Sequence, residues 1–185
     1  MFKEFVREVI RILEDSGIDY VIVGGLAAIY YGEPRATQDI DIIIRPRSEE
    51  YIEKLCDLFT SRGFIIIGGC LAVKRSMTER IHTTIYDKNY LFRVDLQGIY
   101  NRLNFLAFEG RRRVKIFGLD AWIQGPEDLI VAKLTYYVGN RDIRDIIAIL
   151  RNSKDLIDWE RLIRIAQEFS VEPQLREIIK HLNSE

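Results

Sequence analysis

Two aspartates one residue apart, Asp39 and Asp41, are the residues whose type and spacing best fit a chemical role. On a β-strand, residues i and i+2 point to the same face, and a rise of about 3.3 Å per residue places them roughly 7 Å apart. Carboxylates that lean toward each other can share divalent cations, and a two-metal site for phosphoryl transfer needs cations about 3.5–4 Å apart. The pair therefore predicts divalent cations bound by Asp39 and Asp41.

A glycine pair, Gly24-Gly25, falls where a short buried strand at residues 20–23 gives way to a helix. Glycine lets backbone N–H groups approach an anion closely, and the amino terminus of the helix adds partial positive charge. We therefore expect this turn to hold the triphosphate of a nucleotide. The alternative is that the glycines serve only the turn itself.

A third carboxylate, Asp95, lies in a segment at residues 91–97 that alternates apolar and polar side chains. Its alternation predicts a strand with Asp95 on the polar face. If this strand is a neighbour of the one that carries Asp39 and Asp41, Asp95 binds the metal or accepts the proton of an attacking hydroxyl. The alternative for the first two aspartates is a solvated ion cluster with Arg35 or Arg45.

Hydrophobic periodicity predicts the elements that must position these groups. Before residue 64 it predicts helices at residues 2–13, 26–30 and 49–59 and strands at 20–23 and 39–44. Strands are then predicted at residues 64–67, 71–74, 81–86, 91–97 and 113–117, followed by helices at 126–138, 141–151, 159–169 and 173–182. The predicted fold is α/β (α+β): a mixed sheet flanked by helices in residues 1–125, with a helical region, residues 126–185, packed on it.

Composition excludes some classes of protein and leaves others open. The 185 residues carry 27 Lys and Arg against 28 Asp and Glu, so no overall charge marks a nucleic-acid or membrane binder. No uncharged apolar run approaches about 18 residues, and we expect neither a signal peptide nor a membrane span. Cys56 and Cys70 lack metal-ligand spacing, and a chain of this length does not need a disulfide, which favours the cytoplasm.

Local basic clusters are the remaining candidates for contact with RNA. They are Arg111, Arg112 and Arg113 with Lys115, and Lys74 and Arg75 with Arg80. Such clusters can follow a nucleic-acid backbone, but they also occur as solvated strand edges. His82 and His181 are isolated in the sequence, and we expect both to be structural or exposed.

Several of these strings resemble a known superfamily. Gly24-Gly25, thirteen intervening residues and then Asp39-Ile40-Asp41 resemble the signature of the nucleotidyltransferases related to DNA polymerase β. The string Arg35-Ala36-Thr37 before the aspartates is similar to that of the AbiEii/AbiGii toxin-like group. Later segments, residues 125–133 and 141–146, resemble the Lys and Asp motifs of the same group.

The resemblance implies transfer of NMP from an NTP to an acceptor hydroxyl with Mg²⁺ or Mn²⁺, releasing pyrophosphate. Matched by position, the metal ligands are Asp39, Asp41 and Asp95, and the nucleotide-binding residues are Gly24, Gly25, Arg35, Thr37, Lys133 and Asp145. The resemblance implies that Lys133 would reach the phosphates and that Asp145 would orient Lys133 or a metal-bound group. Many superfamily members have serine at the position of Gly25, so backbone contact must suffice there.

Two of these residues also have structural interpretations. Lys133 can reach water past an apolar helix stripe, and Asp145 can form an ordinary pair with Arg141 one helical turn away. The acceptor stays open between RNA or tRNA, a small molecule and a protein. The alternative function is an inactive nucleotide- or RNA-binding member of a toxin–antitoxin-like pair, with an antitoxin protein as partner.

Overall fold

A computed structural model of the protein describes residues 1–136 and 139–182. Its strands are β1 Asp19–Val23, β2 Asp39–Arg45, β3 Ile65–Ile66, β4 Thr83–Tyr86, β5 Arg93–Gln97, β6 Arg112–Ile116 and β7 Leu119–Ile123. Its α-helices are α1 Phe2–Ser16, α2 Gly24–Tyr31, α3 Glu49–Ser61, α4 Gly69–Arg75, α5 Arg102–Glu109, α6 Pro126–Thr135, α7 Asn140–Asn152, α8 Trp159–Glu168 and α9 Glu172–Leu182.

The strands form one mixed sheet in the order β3-β4-β5-β2-β1-β7-β6. The central strand β2 pairs antiparallel with β1 and parallel with β5. The predicted α/β fold is therefore confirmed. The assumption that the strands of Asp41 and Asp95 are neighbours is confirmed as well, and these two residues are register partners.

The two faces of β2 have different surroundings because side chains alternate along a strand. Ile40, Ile42 and Ile44 are buried in the main core, which also contains the apolar faces of α1 and α3. On the opposite face, Ile43 packs in a smaller cluster with residues of α5. Asp41 lies two residues before Ile43, so it is on the face that α5 covers and away from the main core.

The strand predicted at residues 71–74 is wrong, because α4 occupies Gly69–Arg75. Short apolar runs do not distinguish a strand from a buried helical turn. Helix α5 and strand β7 were not predicted. Asn101 caps α5 by accepting a hydrogen bond from the Asn104 backbone, and β7 follows a tight turn in which Phe117 and Gly118 have positive φ.

The predicted carboxy-terminal helices agree with α6 to α9 to within one residue, apart from the end of the first. Helix α6 ends at Thr135, and Tyr137 and Val138, which complete the predicted helix, lie outside the described residues. The division of the chain near Gly125 stays a prediction. None of the helices in the described ranges is long and apolar enough to cross a membrane.

Cys56 and Cys70 form a disulfide that links α3 to α4, with their Cα atoms 5.7 Å apart. Sequence spacing did not predict this bond. The two cysteines meet because α3 and α4 pack against each other. With a strand predicted at residues 71–74 in place of α4, this contact between helices was not expected.

A buried ion pair holds α6 against α8. Asp128 is 1% exposed, and both of its carboxylate oxygens accept hydrogen bonds from Nη2 of Arg161, at 2.7 and 2.8 Å. The neighbouring Glu127 is equally buried and pairs with Arg112 at 2.7 Å. These acids lie under the start of α6, so their partners fix the position of the helix that carries Lys133.

We predict that Arg161→Ala lowers the free energy of unfolding by about 3 kcal/mol or more, because it leaves the buried Asp128 carboxylate without its cation. Arg102→Ala is the matched control, since Arg102 pairs with Glu168 on the surface and such pairs contribute about 0–1 kcal/mol. Urea denaturation followed by circular dichroism measures both. Equal losses in the two variants would contradict the structural role of Arg161.

Candidate active site

Three carboxylates meet on two neighbouring strands. Asp41 of β2 is the register partner of Asp95 of β5, and Asp39 is the partner of Arg93. Alternation along β2 places Asp39 and Asp41 on the same face, as predicted. The structure therefore brings together all three acids that the sequence singled out, from segments more than 50 residues apart.

The negative charge of the three acids is only partly neutralised by neighbouring positive side chains. Arg93 donates from Nε to Asp95 at 2.9 Å and from Nη2 to Asp39 at 3.3 Å. Within the described residues Asp41 has no ion pair. Burial, followed by the charges of Asp39 and Asp95, raises the pKa of Asp41 to about 6. A cation at this position would remove that repulsion.

The donor set suits a divalent metal ion, although Arg93 holds part of it. As the side chains stand, residues 1–136 and 139–182 contain no group of three Asp, Glu, His or Cys side chains that could hold a metal. The Arg93 guanidinium bridges Asp39 and Asp95 and stands in for a cation there. Carboxylate oxygens are the ligands that Mg²⁺ prefers. Asp39, Asp41 and Asp95 therefore fit such an ion when Arg93 releases two of them.

Two threonines orient the outer acids of the cluster, Asp39 and Asp95. Thr37 donates from Oγ1 to Asp39 at 2.6 Å, and Thr84 of β4 donates to Asp95 at 2.8 Å. Thr37 was among the predicted nucleotide-binding residues, whereas Thr84 was missed. Only the pairing of β4 with β5 reveals Thr84, because Thr84 and Asp95 are register partners in that pair.

The glycine turn lies directly against Asp41. Gly24 has φ of 65°, and a Cβ at this position would approach Oδ2 of Asp41 to 2.3 Å. Position 24 thus requires glycine for both conformation and space. The backbone N–H of Gly25 donates a hydrogen bond to Asp41, which lowers the pKa of that carboxyl against the larger effect of burial.

Arg35, Lys133 and Asp145 form one ionic network beside the turn. Arg35 donates to both oxygens of Asp145, at 2.8 and 2.9 Å, and Lys133 reaches Asp145 at 2.7 Å and Asp142 at 2.9 Å. Burial raises the pKa of Asp145, but the hydrogen bonds from Arg35 and Lys133 outweigh it and leave that pKa below its ordinary value. Lys133 thus points to carboxylates rather than past an apolar stripe to water.

Three cavities meet at Asp41. The largest, about 590 Å³, is lined by the glycine turn, Asp39, the start of α7 and the basic residues Arg35, Lys133, Arg141 and Arg144. A second, about 460 Å³, lies between the sheet, α5 and α6. A third, about 140 Å³, is lined by His82, Asp41, Ile42, Asp95 and Gln97. His82, which we expected to be structural or exposed, is exposed and also lines this third cavity.

The basic clusters are largely neutralised by local carboxylates. The ion pairs are Arg112 with Glu127, Arg113 with Glu14, Lys115 with Asp120, Lys74 with Glu49 and Glu53, and Arg75 with Glu79. Arg111 lies over the rings of Phe108 and Trp122. Apart from the pair of Arg112 with the buried Glu127, these contacts favour the interpretation of the clusters as solvated surface groups.

We predict that Arg93→Ala tightens the binding of Mn²⁺ alone, because the cation no longer competes with a guanidinium for Asp39 and Asp95. An increase of about 10-fold corresponds to about 1.4 kcal/mol of removed competition. Isothermal titration calorimetry of the nucleotide-free protein measures it, with Arg75→Ala as the control for loss of a positive charge elsewhere. Weaker Mn²⁺ binding in Arg93→Ala would show that Arg93 supports the site.

We predict that Asp41→Asn stabilises the metal-free protein in a pH-dependent way. The pKa of Asp41 is raised in the folded state, so its ionisation destabilises the fold as pH rises from about 4 to above 6. The gain in melting temperature from Asp41→Asn is therefore expected to be largest above pH 6 and to vanish near pH 4. Thermal unfolding in EDTA, with Asp120→Asn as an exposed control, tests this, and a pH-independent difference would contradict it.

Comparison with solved structures shows which proteins share this fold. An antigenic nucleotidyltransferase-like protein from Paracoccidioides brasiliensis is 19% identical, with a TM-score of 0.57, over 96% of this chain and 91% of that one. The crystal structure of ANT(2")-Ia in complex with adenylyl-2"-tobramycin is 12% identical, with a TM-score of 0.62, over 91% of this chain and 96% of that one. At these identities the likeness shows the fold.

Comparison with curated proteins finds no match. A family model does match, and it covers residues 2–180, nearly the whole chain. The matched segment includes both aspartate strands, the glycine turn and the Lys133 helix. The chain therefore belongs to the family described as nucleotidyltransferase of unknown function (DUF6036).

Proposed function

We propose that the protein transfers a nucleotidyl group from an NTP to an acceptor hydroxyl, in a reaction that requires Mg²⁺ or Mn²⁺. One observation carries the proposal: Asp41 and Asp95 are register partners, and the glycine turn touches Asp41. The contact between Gly24 and Asp41 supports a site in which the carboxylates hold a metal ion and the turn holds a phosphate next to it. Family membership supports nucleotidyl transfer in general.

The largest cavity is the proposed binding site for the triphosphate. The amino termini of α2 and α7 both line it, and each adds backbone N–H donors and partial positive charge. Lys133, Arg35, Arg141 and Arg144 line the same cavity. In this proposal the α-phosphate lies beside Asp41 and the β- and γ-phosphates lie toward the basic residues.

The proposed reaction is an in-line displacement at the α-phosphate. The acceptor oxygen forms a bond to the α-phosphorus, the bond from that phosphorus to the bridging oxygen breaks, and pyrophosphate leaves. A divalent cation bound by Asp39, Asp41 and Asp95 supplies neutralisation of the charge on the phosphoryl oxygens. Asp95 accepts the proton of the acceptor hydroxyl, and Asp145 positions Lys133 for the leaving pyrophosphate.

Three classes of acceptor are candidates for the proposed reaction. ANT(2")-Ia was solved with an adenylylated aminoglycoside, so this fold can serve transfer to a small-molecule hydroxyl. RNA or tRNA and protein hydroxyls are the other candidates. Membership in the AbiEii/AbiGii toxin-like group, an antitoxin partner and a cytoplasmic location stay predictions.

A binding function without transfer is the second candidate. The contacts of Arg93 with Asp39 and Asp95 favour it, since a guanidinium that never leaves would block the metal site. In that case the protein binds nucleotide or RNA as part of a regulatory pair.

The experiment incubates the protein with each α-labelled NTP, Mg²⁺ or Mn²⁺, and pools of total RNA, protein or small metabolites. We predict label transfer into one pool, reduced about 100-fold or more in Asp41→Asn because the acid contributes to stabilisation of the transition state. Asp120→Asn, an exposed acid outside the site, is the control and is expected to retain activity.

Calorimetry separates the two candidate functions. NTP binding that depends on Asp41 without label in any pool would support the binding function and reject transfer. Absence of label together with equal NTP affinity in wild type and Asp41→Asn would reject both.

A further inference from the structure

The second cavity, between the sheet, α5 and α6, contains polar groups that the proposed chemistry does not use. Three carboxamides from different elements line it: Gln97 of β5, Asn104 of α5 and Gln124 just after β7. The remaining walls are mainly apolar, from Val23, Ile43, Leu103, Ala107, Leu129, Ala132 and Tyr136. Its volume of about 460 Å³ lies in the range of small-molecule sites.

Gln124 is the most informative of the three. It is only 3% exposed, and its backbone N–H donates to Ile22 at 2.8 Å. Among the described residues its side-chain carboxamide has no hydrogen-bond partner. Its carboxamide lines the cavity, so its hydrogen-bonding groups are open to water or to a ligand that enters there.

The other two carboxamides also have hydrogen-bond donors or acceptors that no protein group uses in the described part of the chain. Asn104 accepts a hydrogen bond from the Tyr100 backbone through Oδ1, which leaves its NH₂ group for the cavity. Gln97 makes no side-chain hydrogen bond within the described part of the chain. Together the three residues offer both donors and acceptors, all uncharged.

This chemistry fits a heterocyclic base. The planar faces of a base suit apolar walls, and its edge presents the paired donors and acceptors that Asn and Gln side chains bind. A phosphate does not fit as well, since most of the cations near Asp41 line the other cavity. Among the basic residues in the described part of the chain, Lys133 alone lines both cavities.

The two cavities also share the lining residues Gly24, Asp41, Lys133 and Asp142. A single extended ligand can therefore occupy both, with its triphosphate in the basic cavity and its base among the uncharged carboxamides of the second cavity. We propose that the second cavity binds the base of the NTP and that Gln124, with Asn104 and Gln97, determines which base is accepted. This inference rests on the proposed function for the identity of the ligand.

The test compares the affinities of ATP, GTP, CTP, UTP and inorganic tripolyphosphate, measured by calorimetry with Ca²⁺ or Mg²⁺. We expect wild type to prefer one base, and Gln124→Leu to weaken that NTP by about 10-fold, as expected for the loss of hydrogen bonds from a buried group. Tripolyphosphate affinity is expected to change less than 2-fold, since tripolyphosphate lacks the base that would reach Gln124. Gln167→Leu on the exposed face of α8 is the control.

A second variant and a second ligand keep the assignment testable. Gln124→Glu preserves the shape of the side chain but removes its donor, so it is expected to change the order of preference among the four NTPs. Thermal unfolding verifies that both variants fold. If the NTPs bind equally well in wild type and in Gln124→Leu, while a nucleoside or short oligonucleotide added with saturating tripolyphosphate loses affinity, the cavity belongs to the acceptor and the proposal is overturned.

The outcome is independent of the transfer reaction. Base preference that depends on Gln124 without any label transfer would support the cavity assignment and reject the proposed reaction. Label transfer with equal use of all four NTPs, in wild type and in Gln124→Leu, would support the reaction and overturn the cavity assignment.

Discussion

Repulsion among three carboxylates on one face of the sheet is the constraint around which the site is built. The parallel pairing of β2 with β5 makes Asp41 and Asp95 register partners, and Asp39 lies on the same face. Burial and these two charges raise the pKa of Asp41 to about 6. The neighbouring contacts limit this cost: Thr37 and Thr84 donate to the outer acids, Arg93 bridges them, and the Gly25 backbone donates to Asp41. The remaining negative charge of the three carboxylates favours the binding of a cation.

The helical region is attached to this site by charge as well as by packing. Asp145 of α7 accepts hydrogen bonds from Arg35, which precedes β2, and pairs with Lys133 of α6. Two of the four cations that we propose for the phosphates, Arg35 and Lys133, therefore share one carboxylate, and Lys133 also pairs with Asp142. Because Asp145 is mostly buried, the pairing positions both side chains in the absence of nucleotide. A bound triphosphate would compete with Asp145 for them, which relates nucleotide binding to the contact between α7 and the sheet.

Periodicity and motif spacing predicted the parts of the structure that depend on local sequence. The strand of Asp39 and Asp41, the helices from Pro126 onward and the glycine turn agree with the structure. Which strands are neighbours could not be predicted from local patterns, because the pairing of β2 with β5 joins segments that are far apart in the sequence. Helix α4 was misread because its apolar run is too short to show a period. Gln124 carries no signal in the sequence, as its role depends on a cavity formed by three distant elements.

The glycine at position 25 lies against the Arg-x-Thr string. A Cβ there would lie 3.3 Å from Oγ1 of Thr37 and 3.5 Å from Nη2 of Arg35. The first of these contacts is closer than ordinary van der Waals contact, so a side chain at position 25 would require Thr37 to shift. Since Thr37 also donates to Asp39, the same hydroxyl fixes a carboxylate of the candidate site and limits the space beside the turn. Arg35 is held by Asp145, and the backbone N–H of Gly25 donates to Asp41. A side chain larger than hydrogen at position 25 would therefore disturb Thr37 and, through it, the position of Asp39.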